Sequence, residues 1–384
     1  MPVCCYAYAA LIHISIIPLM VIRRLEITDV RNIRQAGFID LAPINILYGL
    51  NGSGKTSVLE AIHLLSSARS FRSHKLKPLI NKNAEQCVVY GEVCSSPQQS
   101  HYSAIGVQRS RKETGVIKVD GSPVRSTSVL AEKLPLQVIN ADTFLLLEGS
   151  PSVRRQFVDW GVFHVEHSFH AIWKTVQRCL KQRNSLLRHG RIIDGELDVW
   201  TDELVKASEQ LDSLRKAYLT RFSKVFEVCL TKLIKLDGVT LSYQRGWDKD
   251  RCLAEVLSAN KEKEKEQGYT ASGPHRADLR LRYQGHMAAD ILSRGQQKLV
   301  VCALRVAQGY LLSELTQRRC VYLIDDLPAE LDNNHRRAFC ELLSDLDCQV
   351  FITCVDHSDL DGCGLNPDLV KLFHVEHGSI SAGQ

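Results

Sequence analysis

Two hydrophobic periods alternate along the chain. From Met20 onward, VIRRLEITDVRNI places apolar residues at nearly every second position, as in a strand with one buried face. PINILYG at 43–49 and CVYLIDD at 320–326 carry short apolar runs, which fit buried strands. SVLEAIHLL at 57–65 and LVVCALRVAQGYLL at 299–312 repeat at helical spacing. Between these segments, RRQFVDWGVF, AIWKTVQRCLKQRNSLL and WTDELVKASEQLDSLRKAYLTRFSKVFEVCLTKLIKL keep i, i+3, i+4 apolar spacing. The heptads are too few for a long coiled coil, so a compact helical insertion is expected. NKEKEKEQG at 260–268 reads as a solvated helix or linker.

The first 22 residues contain no Asp, Glu, Lys or Arg. Pro18 interrupts them and no positive region precedes them, unlike a secretory signal. The fold is expected to begin near Met20, with residues 1–19 an upstream leader; a membrane anchor is the alternative.

Composition narrows the class without naming a function. The 384 residues are 45% hydrophobic and 24% charged, ordinary for a globular chain of one to three domains. The formal charge of +5 permits an anionic partner without demanding one. Thirteen cysteines are scattered with no C-x-x-C pair, which reads as reduced core thiols in a cytoplasmic protein.

Gly49-Leu50-Asn51-Gly52-Ser53-Gly54-Lys55-Thr56 is a full G-x-x-x-x-G-K-[ST] match between an apolar strand and a helix. In that order the glycines turn backbone N–H groups toward phosphates and the helix N-terminus adds partial positive charge. Lys55 is expected on the β- and γ-phosphates of ATP and Thr56 on Mg²⁺. Asp325, at the end of the apolar run CVYLI, is the second Mg²⁺ residue expected; Asp326 follows it, placed to polarise an attacking water.

LSRGQQK at 292–298 precedes the helical stretch at 299–312, with Ser293 as N-cap. Ser293, Gly295 and Gln296 together offer a hydroxyl, a bare backbone and a helix N-terminus, a second anion site. This L-S-x-G-Q run resembles the signature of ABC-type ATPases, which presses on the γ-phosphate held by another subunit. AELD at 329–332 resembles their D-loop. Lys55 and Ser293 lie 238 positions apart, so a lobe is inserted into the ATPase head.

Taken together, LEITDVRNI, NGSGKTSVLEAIHLLSSARSFR, GSPSVRRQFVDWGVFHVEH, SGPHRADL, LSRGQQK and DDLPAELD resemble the RecF family of bacterial recombination-repair ATPases, over about residues 21–380. The resemblance implies an α/β fold, an ABC/SMC-type P-loop head with an inserted helical arm. Residues 20–150 and 269–384 would form the two halves of the head, and 151–268 the arm. It implies ATP-dependent homodimers and binding to DNA at gaps and single-strand/duplex junctions. It also implies work with RecO and RecR in loading recombinase, a link to replication and the SOS response, and no membrane. Departures point to slow hydrolysis. Asp326 is one methylene shorter than the glutamate many ABC ATPases carry there, and Cys354 stands at the switch-histidine position with His357 three residues on. Gln137 or Asn140 could serve as the Q-loop residue.

For DNA, SARSFRSHKLKPL sets Arg69, Arg72, His74, Lys75 and Lys77 around Phe71. QRSRKETG at 108–115 and the pair Arg154-Arg155 add charge. Each could equally be a solvated basic face. FHVEH occurs twice, at 163–167 and 373–377, without zinc spacing; the second copy is expected to close a strand before a turn at Gly378. His275 and Arg276 in SGPHRADL could face nucleotide or DNA, or simply hold a turn. Two other functions compete. A transporter's energy-coupling ATPase is disfavoured by the long insertion, and a small-molecule P-loop kinase by the signature.

Overall fold

The alternating first strand puts Leu25 and Ile27 on one side and Arg24 and Thr28 on the other. That strand, β1 (Ile22–Val30), turns into β2 (Ile33–Ile39), and the apolar run β3 (Ile44–Tyr48) leads into the phosphate loop and helix α1 (Lys55–Ser67). The computed structural model describes residues 21–383 apart from 74, 97, 99, 100, 113, 189–193, 328–330 and 347. The leader, Met20, His74 and two residues of the D-loop stretch, Ala329 and Glu330, therefore lie outside the described residues.

Next come β4 (Gln86–Val93), β5 (Ser103–Ser110), β6 (Gly115–Val119), β7 (Ser122–Pro123), α2 (Ser128–Lys133), β8 (Leu136–Ile139) and α3 (Leu145–Glu148). The helical region comprises α4 (Pro151–Val165), α5 (Phe169–Arg188) and α6 (Asp194–Leu233), followed by β9 (Val239–Gln244), α7 (Leu253–Ala259) and α8 (Lys261–Gln267). The chain closes with β10 (Asp278–Tyr283), β11 (His286–Met287), α9 (Ala288–Ile291), α10 (Arg294–Thr316), β12 (Val321–Ile324), α11 (Asn333–Asp345), β13 (Gln349–Cys354), β14 (Val370–Glu376) and β15 (Ser379–Ala382).

Two six-stranded sheets and a three-stranded one, β11-β10-β9, organise these elements. The first is antiparallel, in the order β2-β1-β4-β5-β6-β7. The second runs β15-β14-β3-β13-β12-β8, parallel from β14 through β8, with β15 antiparallel at its edge. Its central strands β3, β13 and β12 are buried on both faces, and the side-chain period of two divides them between two cores. Leu47, Val321, Leu323 and Phe351 pack toward the antiparallel sheet and α1. Ile46, Tyr322, Ile324 and Ile352 pack toward the helices, in one core with Phe157, Phe222 and Leu304.

The helical region thus packs on the second sheet and is tied to β10. Arg154 of α4 makes a bidentate ion pair with Asp278 of β10, at 2.7 and 3.1 Å. The helical expectation for this region omitted β9, whose alternating VTLSYQ pairs antiparallel with β10, Leu241 opposite Leu281. Among the described residues only α10 is long and apolar enough to cross a membrane, and it is mostly buried in the helical core.

Candidate functional site

The phosphate loop leaves β3 at Gly49 and enters α1 at Lys55. Gly49 has φ +144°, and a Cβ there would lie 2.2 Å from the Val375 carbonyl oxygen, so only glycine fits between β3 and β14. Two turns grip the loop from outside. In the β1–β2 turn, Asn32 Nδ2 donates to the carbonyls of Ser53 at 2.9 Å and Gly52 at 3.3 Å, while its Oδ1 accepts from Ser57 Oγ. In the β14–β15 turn, the Gly378 N–H donates to Ser53 O at 2.8 Å. The second FHVEH run therefore does close a strand before Gly378, and that turn shapes the loop.

Lys55 is almost fully buried, and its ammonium donates to the carbonyls of Gly49 at 2.6 Å and Leu50 at 2.9 Å. Burial pushes its pKa below the ordinary lysine value, and the Asp326 carboxylate opposes that shift. Thr56 Oγ1 donates to Asp325 Oδ1 at 2.9 Å, so the two residues expected on Mg²⁺ are brought together across 269 positions. An alcohol oxygen and a carboxylate oxygen at this spacing suit a hard divalent cation.

Thr353, on β13, was not anticipated. Its hydroxyl donates to Asp325 Oδ1 at 2.8 Å and accepts from the Asp326 N–H at 2.7 Å, fixing both acids. Asp326 adopts φ +57°, a left-handed conformation that parts its path from that of Asp325. Beside it, Cys354 is buried, and its thiol is pushed up to about 12, so it stays protonated and neutral at physiological pH. His357 packs edge-on against Tyr48, ring centroids 4.9 Å apart.

Ser293 caps α10, accepting from the Gln296 N–H at 3.3 Å while Gln296 Oε1 accepts from the Ser293 N–H at 3.0 Å. Ser293 and Gly295 are exposed. No described hydrogen bond joins this cap to the chain's own phosphate loop. Arg294 instead pairs with Glu148 and Lys298 lies over Phe144, both in the segment that follows β8. Strand β8 is three positions from β3 in the sheet, roughly 14 Å at ~4.8 Å per strand. Of the Q-loop choices, Gln137 is buried and bonded to Gln308 and Arg305. Asn140 follows β8 at the sheet edge where Asp325 also lies, since Ile139 O accepts from the Asp325 N–H.

The comparisons decide the family. Residues 21–381 match the model described as RecF/RecN/SMC N terminal domain. The chain is 54% identical over 362 residues to the DNA replication and repair protein RecF of Pseudomonas fluorescens strain Pf0-1, covering 94% of this chain and 98% of the relative. This chain belongs to the RecF family. The RecF protein of Stutzerimonas stutzeri strain A1501 is likewise 54% identical, covering 94% of this chain and 97% of that one. In fold, the chain matches the structure of the recombination mediator protein RecF-ATP in the RecFOR pathway, with TM-score 0.84, 23% identity, and coverage of 97% and 100%. It matches an Smc head bound to the C-terminal winged-helix domain of ScpA at TM-score 0.55 and 15% identity, covering 94% and 97%. The fold is an α/β ATPase head of the RecF/SMC type.

Several sequence candidates for this RecF-family chain belong to its scaffold. Arg154 is buried against Asp278, and half-buried Arg155 donates to Ala277 O. Arg109 donates to Ala68 O and Arg111 to the carbonyls of Ala84 and Asn81. Phe71 packs against His63 and the first core, which removes it as a stacking platform, while Arg69, Arg72, Lys75 and Lys77 are exposed. His275 bonds the Thr270 carbonyl and burial lowers its pKa to about 4, so it holds its turn as a neutral ring. No group of three His, Cys, Asp or Glu that could hold a metal occurs among the described residues.

Proposed function

We propose that the chain is an ATP-dependent DNA-binding protein of cytoplasmic recombinational repair and replication, in which ATP binding mainly controls pairing of two copies. The observation that carries this is the separation of the two anion sites within one chain. Lys55, Thr56 and Asp325 converge at the end of β3 and β12, whereas exposed Ser293 and Gly295 flank Arg294, which pairs with Glu148 in the segment that follows β8. A second copy supplies the missing half by setting its signature on the first copy's loop. Relatives named as replication and repair proteins, and a similar fold described within the RecFOR pathway, support the DNA context and RecO- and RecR-type partners. In this reading the pair binds gapped and junction DNA and helps load recombinase onto single strands during the SOS response.

ATP and Mg²⁺ are the cofactors in this proposal. The Thr56 hydroxyl and Asp325 carboxylate would hold the ion, which would supply charge neutralisation at the phosphates, with Thr353 fixing the carboxylate. Lys55 would neutralise phosphate charge, and Asp326 would orient the attacking water. Hydrolysis is slow because Asp326 is short and Cys354 offers a neutral thiol. Replacing Asp326 with asparagine leaves ATP binding intact, slows turnover on the order of 100-fold and lengthens the life of the ATP-bound pair. Single-turnover hydrolysis measures this; wild-type turnover would place the water elsewhere.

The exposed residues Arg69, Arg72, Lys75 and Lys77 follow the helix that begins at Lys55, so pairing sets two copies along one DNA. Arg72→Ala and Lys75→Ala weaken binding to all sequences alike, each lowering the salt slope by about 0.7–0.9. Titrating a fluorescent gapped duplex at several salt concentrations reads the slope; an unchanged slope for both removes this stretch from the DNA surface. The function itself is tested by sedimentation with ATP and gapped DNA.

A further inference from the structure

A pocket of about 540 Å³ opens between α6, the turn after β9 and the SGPHR turn before β10. Gln244 at the end of β9 pairs with Asp278 at the start of β10, which sets the two turns against each other. They are docked rigidly. Gly246 has φ +95°, and a Cβ there would lie 2.2 Å from the Gly273 carbonyl oxygen. The Gly273 N–H donates to Gly246 O at 3.1 Å, and the Arg276 N–H donates to Gly273 O at 2.9 Å. Four cations line the pocket, Lys216, Arg245, Lys249 and Arg276, and no carboxylate does among the described residues. Of the four, Lys216 alone has an ion-pair partner there, Asp212 at 2.7 Å. Lys249 and Arg276 are exposed, and their side chains make no hydrogen bond or ion pair among the described residues. Asp248, in the same turn, accepts from the Asp250 N–H at 2.8 Å, so its carboxylate is bound into its own loop.

Two of these cations are oriented by aromatic rings. The Arg245 guanidinium lies 4.7 Å from the centre of the Trp247 ring and donates to the carbonyls of Asp248 and Arg251. The Arg276 guanidinium lies 5.5 Å from the centre of the Tyr269 ring. Buried Arg245 Nε and Trp247 Nε1 have no hydrogen-bond partner among the described residues, so N–H dipoles add to the positive charge of the wall. A guanidinium held over a ring keeps an N–H edge free, the fork that takes a carboxylate through two parallel bonds. A pocket of this volume admits a few side chains rather than the extended row of phosphates along a nucleic acid. We propose that this pocket docks an acidic peptide segment of a protein partner, its carboxylates taken by Arg276 and Lys249 in front of Arg245.

The test titrates the full chain, without nucleotide or DNA, into a fluorescein-labelled glutamate-rich peptide and into its glutamine counterpart, read by anisotropy at physiological salt. With no ATP present, the result does not depend on pairing of two copies. The glutamate peptide is expected to bind and the glutamine peptide not to bind. Lys249→Gln combined with Arg276→Gln lowers affinity roughly 10-fold, and Arg276→Lys, which keeps the charge and loses the fork, lowers it about 3-fold. Arg34→Gln combined with Lys82→Gln, exposed cations outside the pocket, keeps wild-type affinity. Thermal unfolding matches wild type in each case, as the altered side chains are exposed. Equal losses in the two double variants mean diffuse attraction and overturn the pocket, as does a wild-type chain that binds neither peptide. If Lys249→Gln with Arg276→Gln weakens binding of a gapped duplex in ATP but leaves the glutamate peptide bound as before, the pocket serves nucleic acid and the proposal is overturned.

Discussion

Replacing Lys55 with arginine is expected to abolish ATP-driven pairing and to weaken ATP binding on the order of 100-fold. The lysine ammonium is a compact charge, held between the carbonyls of Gly49 and Leu50. A guanidinium is planar and wider, and cannot occupy the same cradle. The loop cannot widen to admit it, because Asn32 and Gly378 fix Ser53 and the Val375 carbonyl closes on Gly49. Calorimetric titration with ATP and sedimentation of the loaded protein check the two effects. Unchanged pairing would contradict the role given to the loop.

Ser293→Arg separates binding from pairing. The variant is expected to bind ATP as the wild type does and to remain monomeric at ATP concentrations that pair the wild type fully. Ser293 is exposed and touches none of its own chain's loop residues in any described hydrogen bond, so the resident site is left intact. The long arginine side chain keeps the α10 N-terminus from approaching a partner's γ-phosphate. Loss of the cap costs about 1 kcal/mol, too little to unfold a helix with most of its length in the core. Loss of ATP binding in a folded variant would show that Ser293 serves its own chain.

The parts of the site legible in the sequence are those whose chemistry lies within a few residues. The run from Gly49 to Thr56 carries its own glycines, lysine and helix start, and CVYLIDD its own buried strand and terminal acid. Ser293 and Gln296 form a capping box readable from their spacing of three. Thr353 and Asn32 were missed because their roles come from topology. Thr353 reaches Asp325 only because β13 pairs with β12, and Asn32 reaches Ser53 only because the first hairpin folds over the loop. Nothing in VFITC or DVRNI marks either residue locally.

Charge was the poorest guide. Arg154, Arg155 and Arg109 look like a DNA face in sequence, yet each is tied by at least one donor to a carboxylate or carbonyl of the scaffold. Arg245 and Lys249 lie in an unremarkable segment and share one pocket with Arg276 through the pairing of β9 with β10. Strands β4 and β5 alternate clearly, as in Cys87, Val89 and Val93, or Ile105 and Val107, but their place in the antiparallel sheet over α1 follows from long-range pairing.

Sedimentation of the wild-type chain with and without ATP, in the presence and absence of a gapped duplex, tests the central claim most directly. The account predicts a monomer without ATP, a dimer with it, and co-sedimentation of that dimer with the DNA. A chain that stays monomeric at saturating ATP and gapped duplex would contradict it.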